Sequence, residues 1–402
     1  MASFLSITDQ QHINTVRTAA PLYMKQYSDL TKRSHMLMSM MESWGNIEYG
    51  ATDASRVWQV MVRQPTVSTF SNTTNKTFQD SNAFEQMQIG IRGYEATDLL
   101  KEKEFKLNQG QTQLVNLYDF KMKNLSQSIM ERLQEFLWRD GDADGQNGFQ
   151  GIESCLKPLN ANTGTGGDDA SGAADGDRIV LPKDSYGGLS TELGNLGGSW
   201  SADLPSGSRM NKTQGASNDW PYGIGSSSYD ATSPTLVAYN STDWGATTWE
   251  SNVEECVREA GTILRSKNGY QSGDIAIILS PDLYPQAENY YSTRFRIAQP
   301  YTNGDMGFPI PQSLYIDGVA LKSEYGVPAG VGYAVCPQHT EAFFLNTMNG
   351  GGEGAMLDSF GPDWSPEHGA YLFRISCFGN MRLSPRALGK FATIEHYNAV
   401  AA

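Results

Sequence analysis

An α+β protein is expected from three stretches of this 402-residue chain. Between 109 and 139, Leu114, Tyr118, Met122, Leu125, Ile129, Leu133 and Phe136 recur at steps of three or four. That spacing lays side chains along one face of a helix. The run "GDIAIILSP" is continuously apolar, as a strand buried on both faces must be. Stretches such as "RVWQVMVRQ" from Arg56 alternate and are rich in valine and tryptophan, the signature of further strands lying apart from the helices in sequence.

The elements follow in order. Residues 1–50 read as an N-terminal arm. "RTAAPLYMKQYSDL" and "RSHMLMSMMESW" make short helices that share no common apolar face, and the methionines from Met36 to Met41 are adaptable packing material. Residues 51–108 read as an extended loop hairpin. "RVWQVMVRQ" is one strand; "FEQMQIGIRGYEATDLL" followed by "KEKEFKLN" is a strand, a turn and another strand. Between them "PTVSTFSNTTNKTFQDSNA" is polar and lacks periodicity. A loop of that length is functional or is ordered by a partner.

Residues 109–148 hold the long helix. No proline or glycine falls between 111 and 139, and about thirty residues span about 45 Å. Lys121, Lys123, Glu131, Arg132 and Glu135 lie mostly off the apolar stripe. The helix ends in "DGDADGQNGFQG", which begins like a calcium loop of the EF-hand type. Asp140, Asp142, Asp144 and Gly145 stand at loop positions one, three, five and six, but the twelfth position, which needs a bidentate glutamate, is Gly151. Two readings remain: a weak calcium loop, or a polar turn that stops the helix. The missing carboxylate favours the turn, with no essential metal.

Residues 149–365 read as a mixed α/β domain, with a Gly/Ser-rich insertion at about 160–245 in which Leu189 and Trp200 are the candidate core anchors. "TTWESNVEECVREAGTILRS" presents Trp249, Val253, Val257, Gly261 and Leu264 on one helical face. "PDLYPQAENYYSTRF" starts a helix with Pro281 and Asp282 in its first turn. "SLYIDGVALKSEYGVPAGVGYAVCP" gives strands with turns at Asp317-Gly318 and at Pro328-Ala329-Gly330. Residues 366–402 contain "AYLFRISCFGNMRLSPRALGKFATI", one or two return strands.

Composition excludes several classes of function. A net charge of −14 does not suit a protein that grips nucleic acid phosphates. No apolar run is long enough to span a bilayer, and "MASFLSITDQQH" is not an export signal. Cys155, Cys256, Cys336 and Cys377 are widely spaced and read as reduced, mostly buried thiols of a cytosol. His12, His35, His339, His368 and His396 show no metal-ligand spacing. "GGSWS" is not a nucleophile elbow, and "LGKFAT" is not a phosphate loop. Asp363 and Glu367 in "GPDWSPEHG" are the best carboxylate pair, and they read as part of a Pro/Gly loop between strands. No catalytic, cofactor-binding or metal residue is expected, and no enzymatic activity.

The order of elements resembles the major capsid proteins of tailed bacteriophages, the Hong Kong phage capsid fold that encapsulins share. "GIESCLKPL" after the long helix is similar to that family's path into its axial domain. "DSYGGLSTELGNLGGSW", "GDIAIILSPDLYPQAENYY" and "LYIDGVALKSEYGVPAGVGYAV" are similar to three further family segments and occur in the family's order, so the resemblance covers about 50–395. It implies an extended loop, a spine helix of a peripheral domain with its sheet, a mixed α/β axial domain, and C-terminal strands returning to the peripheral domain. It implies a structural protein that self-assembles as pentamers and hexamers into an icosahedral shell around a double-stranded DNA genome. The virion capsid would be its location and the host bacterial cytoplasm its place of assembly. Implied partners are a portal, a decoration protein and, because no long charged N-terminal helical region is present, a separate scaffolding protein. In some relatives a hairpin lysine is cross-linked to a neighbour's asparagine; Lys76 and Asn380, the latter placed in a C-terminal loop, are the residues to examine. The alternatives are an encapsulin-like compartment shell and a secreted polysaccharide-acting or glycan-binding protein.

Overall fold

A computed structural model describes residues 36–52, 54–61, 84–102, 111–141, 147–158, 179–180, 182–191, 232–268, 274–294, 314–345 and 357–401. In chain order these form α1 (Met36–Ser43), β1 (Ile47–Ala51), β2 (Ser55–Met61), β3 (Phe84–Gly90), β4 (Arg92–Lys101) and α2 (Gln111–Trp138). Short strands β5 (Ile179–Val180), β6 (Ser185–Tyr186) and β7 (Leu189–Ser190) precede β8 (Thr235–Ala238), α3 (Trp249–Asn268), β9 (Ala276–Leu279) and α4 (Leu283–Arg294). Then come β10 (Leu314–Ile316), β11 (Val319–Ser323), β12 (Gly332–Val335), β13 (Thr340–Leu345), β14 (Asp358–Ser365), β15 (Ala370–Leu383), β16 (Leu388–Ala392) and α5 (Ile394–Ala401). The fold is α+β, as expected, and the chain divides into two compact units.

The first unit comprises residues 1–56, 90–151 and 340–382. Its centre is the fourteen-residue strand β15, which pairs with β4 from Ala370↔Lys101 to Gly379↔Arg92, with β14 from Ser365↔Ala370 to Asp358↔Ser376, and with β13. β1 adds in parallel to β13, with Ile47 opposite Ala342. The long helix α2 packs on β4. Of its predicted stripe, Met122, Leu125, Ile129 and Leu133 are buried; Phe136 is half-buried, and Leu137 and Trp138 are buried beside it. Leu114 and Tyr118 lie where side chains are outside the description.

Three expectations change here. Residues 36–50, expected in the arm, supply α1 and β1. Leu37, Met38 and Met41 are buried, so the methionine run packs inside its own unit. "GPDWS" belongs to β14, with a bulge between Phe360 and Asp363, because the extended backbone before Pro362 fits an edge strand. Asn380 sits in β15, not in a loop, and is 1% exposed.

The second unit comprises residues 57–89, 152–339 and 383–402. Its seven-stranded sheet runs β10-β11-β9-β12-β16-β8-β5. β9 is buried at every position between parallel β11 and antiparallel β12, as its unbroken apolar sequence requires. α3 buries Trp249, Val253, Val257 and Leu264, and Trp249 Nε1 donates to the Leu283 carbonyl at the start of α4 (3.0 Å). Asp317 (φ 52°) and Gly318 (φ 80°) make the two-residue turn between β10 and β11. Residues 232–239, expected in the insertion, are core. β8 is wholly buried, and Trp244 Nε1 donates to the Ala238 carbonyl (2.7 Å). The return strands also divide: β15 lies in the first unit, β16 and α5 in the second.

Candidate assembly surface

Within the stretch expected as a hairpin, β2 and β3 form a ribbon, pairing with each other and with no other described strand, whereas β4 leaves it to pair with β15. Exposure alternates along both. Val57, Gln59 and Met61 of β2 and Phe84, Gln86 and Gln88 of β3 face outward; Met87 and Ile89 are buried. The outward set carries no charge. Phe84 is 60% exposed, Met61 54% and Val57 46%, so three large apolar side chains lie in water on one short ribbon. A monomer gains nothing from that placement. A surface that becomes covered does. The segment between the strands, Lys76 included, lies outside the described residues.

At the root of β2, the Arg56 guanidinium donates to the Glu48 carboxylate on β1 and to Glu341 (3.5 Å) on β13; Glu341 also accepts from Arg382 (2.8 Å). These partly exposed pairs tie Arg56 to β1 and β13 and add little stability.

Of the four residues that open the calcium-like stretch, Asp140 alone is described. Asp142, Asp144 and Gly145 lie outside the described residues. Asp140 follows the end of α2, where Arg139 pairs with Glu135 and places a cation near the negative end of the helix dipole. Gly141 lies tight against Gly148 and Phe149. A Cβ at Gly141 would stand 2.2 Å from the Phe149 carbonyl oxygen, and one at Gly151 2.4 Å from that of Phe136. Tyr94 on β4 stacks on Phe136 (4.0 Å) and accepts from the Phe149 amide (2.9 Å). Asn380 completes the clasp. Its Oδ1 accepts from the Gln150 and Met381 amides (both 2.8 Å), and its Nδ2 donates to the Gly90 carbonyl (2.8 Å). Every one of those bonds keeps the Asn380 amide inside its own chain.

Other sequence candidates do not converge. Asp363 stands opposite Leu372 in β14, while Glu367 is exposed in the following turn. His12 and His35 lie outside the description. His368 contacts Ser365 (3.1 Å), and His339 and His396 are on separate elements. Among the described residues, no three His, Cys, Asp or Glu side chains gather as a metal would need. The four cysteines are buried and unbridged. Burial raises the Cys336 thiol to about 11 and the Cys377 thiol to about 12, so both stay protonated and unreactive.

One cluster escaped sequence reading. Lys390, in the strand read as a failed phosphate loop, is fully buried. Its Nζ donates to both oxygens of Glu153 (2.7 and 3.0 Å), which also accepts from the Tyr333 hydroxyl. Tyr397 OH donates to the Lys390 carbonyl (2.9 Å) and its ring lies 5.5 Å from Nζ. Burial first, and then the Glu153 charge, push the Tyr333 and Tyr397 phenols well above their ordinary value. The available signal was a lysine inside an otherwise apolar strand, which demands a counter-charge. Each polar group here is spent on another, so the cluster is a structural lock.

No helix among the described residues is long and apolar enough to cross a membrane. No protein-family model matches the chain, and no curated protein matches it. Among solved structures, phage and particle capsids resemble it. The capsid of cyanophage P-SCSP1u matches at 10% identity, over 87% of this chain and 86% of that one, with a TM-score of 0.44. The capsid asymmetric unit of cyanophage A-1(L) matches at 12% identity, over 88% and 92%, at 0.48. The capsid of a native GTA particle matches at 11% identity, over 88% and 90%, also at 0.48.

Proposed function

We propose that this chain is a structural capsid subunit that self-assembles, as pentamers and hexamers, into the icosahedral shell enclosing the double-stranded DNA of a tailed bacteriophage. The observation that carries the reading is the β2–β3 ribbon, with Val57, Met61 and Phe84 exposed on strands that pair only with each other among the described residues. Fully burying such a side chain is worth about 1.5–3 kcal/mol. Repeated around a closed shell, a contact that is weak once becomes strong in sum. The net charge of −14 suits a container, because a wall that gripped phosphates would hinder packing and release of DNA. On this reading the work is assembly and no reaction is catalysed. A separate scaffolding protein, a portal and a decoration protein are the partners. The subunit is made in the host bacterial cytoplasm and ends in the virion.

Electron microscopy and sedimentation of the purified chain, alone and with lysate of infected cells, test this. Closed shells of uniform size, containing DNA when isolated from their source, are expected. A chain that remains monomeric under all these conditions sinks the reading, and shells filled with protein cargo replace it with a compartment.

A further inference from the structure

We infer that the β6–β7 turn is a docking post that holds the root of the ribbon, with Gly187 as its positioning residue. This rests on the ribbon being the intersubunit element. The Gln88 amide of β3 donates to the Gly187 carbonyl (3.0 Å). Gly187 has φ +59°, and a Cβ there would stand 3.1 Å from Met87 Cβ and 3.4 Å from the Gln88 nitrogen. The turn therefore needs glycine twice, for its left-handed backbone and for the closeness of the strand. Met87 is 2% exposed, so the strand is seated on the turn rather than passing over it.

The post itself is braced. Two residues per strand cannot hold a hairpin in water, yet β6–β7 is tied on several sides. Tyr186 is buried, and its hydroxyl accepts from the Leu383 amide (3.0 Å). The Asp184 amide donates to Thr191 Oγ1 and the Thr191 amide to the Asp184 carbonyl, both at 2.8 Å. Thr232 Oγ1 donates to the Ser190 carbonyl (2.7 Å). An isolated two-stranded ribbon is marginal, so a fixed root removes ordering cost before a partner arrives.

The geometry offers a matched pair of substitutions. Because the Gln88 N–H reaches Gly187, it points away from β2, and the N–H of Gln86, two residues earlier, shares that edge. Gln88→Pro removes the bond to the post and spares the ribbon's own ladder. Gln86→Pro places the same ring on the same edge and leaves the post intact. The full chain is measured three ways: amide exchange of the parent subunit, thermal unfolding of each variant, and shell yield. In the parent, the Gln88 amide is expected to exchange far more slowly than that of Gln86; equal rates overturn the post whether or not shells form. Gln88→Pro, which deletes the bond, and Gly187→Asn, which crowds the strand off the turn, are expected to lower the parent's unfolding midpoint by no more than a degree or two while shell yield falls about tenfold or more, because the root is loosened in every subunit. Gln86→Pro is expected to assemble as the parent does. Matching yields from the two proline variants, high or low, overturn the proposal. Normal shells from Phe84→Ser would instead remove the reading of the ribbon on which it rests.

Discussion

β9 and β2 are both short strands rich in apolar residues, and their side chains meet opposite fates. All four residues of β9 are buried between neighbouring strands and beneath α3, whereas β2 alternates and leaves Val57 and Met61 about half exposed. The difference lies in what completes each strand. β9 finds its partners within the chain, while β2 and β3 find only each other among the described residues. Apolar surface is favourable only once water has been removed from it. The first strand therefore contributes to folding; the second, on the proposed reading, contributes to association.

The largest expected effects separate these two roles. Trp249 is 2% exposed, packs edge-on against Tyr239 and Phe391, and spends its indole N–H on Leu283. Trp249→Ala should cost about 3–5 kcal/mol and lower the denaturant midpoint of the second unit accordingly. Phe84→Ser should change stability by no more than about 0.5 kcal/mol yet abolish shells. If Phe84→Ser proves as destabilising as Trp249→Ala, the ribbon is core after all and the comparison collapses.

A similar loss is expected inside the polar lock. Lys390→Met leaves the Glu153 carboxylate in a nearly dry site without its cation, a change that costs about 3–5 kcal/mol in buried pairs. The double variant Lys390→Met/Glu153→Leu should recover most of that, because no charge is left to desolvate. A double-mutant cycle by chemical denaturation measures it. Additive losses would mean that the pair does not act as one group.

Smaller again, bond for bond, is the Asn380 clasp in the first unit. Asn380→Leu keeps the branched shape but strands the Gln150 and Met381 amides and the Gly90 carbonyl, at about 1–3 kcal/mol for each group left buried. The same residue bears on cross-linking. With its amide committed to three partners, mature particles should run as a single monomer band on denaturing electrophoresis. A ladder of covalent oligomers that vanishes in Asn380→Asp would show that the clasp opens during assembly.

These sites mark how far the sequence could be read. α2, α3 and β9 were legible because their patterns depend on one element and the burial it needs. The ribbon was legible as two strands around an aperiodic segment. Three features were hidden for physical reasons. β1 pairs in parallel with β13, nearly three hundred residues away, and no local pattern encodes such a partner. β8 is four residues inside a glycine-rich stretch, too short for periodicity to register. Lys390 and Glu153 are 237 residues apart, so the lysine shows only as an anomaly in its strand. Gly141 and Gly151 fall in the stretch expected as a polar turn, but their closeness to neighbouring carbonyls belongs to tertiary packing and has no local trace.

The smallest expected effect is a dependence on pH that distinguishes the lock from the ribbon, which exposes no charge on its outward face. His396 lies on α5 beside that lock, and its Nε2 is buried with no hydrogen-bond partner among the described residues. Burial, and then the Lys390 charge, lower its pKa; the Glu153 charge opposes them. A histidine held below its ordinary value of about 6.5 takes up its proton more readily in the unfolded chain. Stability is therefore unaffected above that value and falls as the pH drops from it toward the folded pKa, with a slope of at most about 1.4 kcal/mol per pH unit. His339, also lowered by burial, adds in the same direction, so the parent alone cannot isolate His396. Thermal midpoints of the parent and of His396→Gln, compared across mildly acidic pH, can. The parent should lose more than the variant as the solution is acidified, by a degree or two at most, with unfolding beginning in the second unit. If the variant loses as much as the parent, the ring is protonated without cost, and the site around Lys390 is wetter than its burial implies.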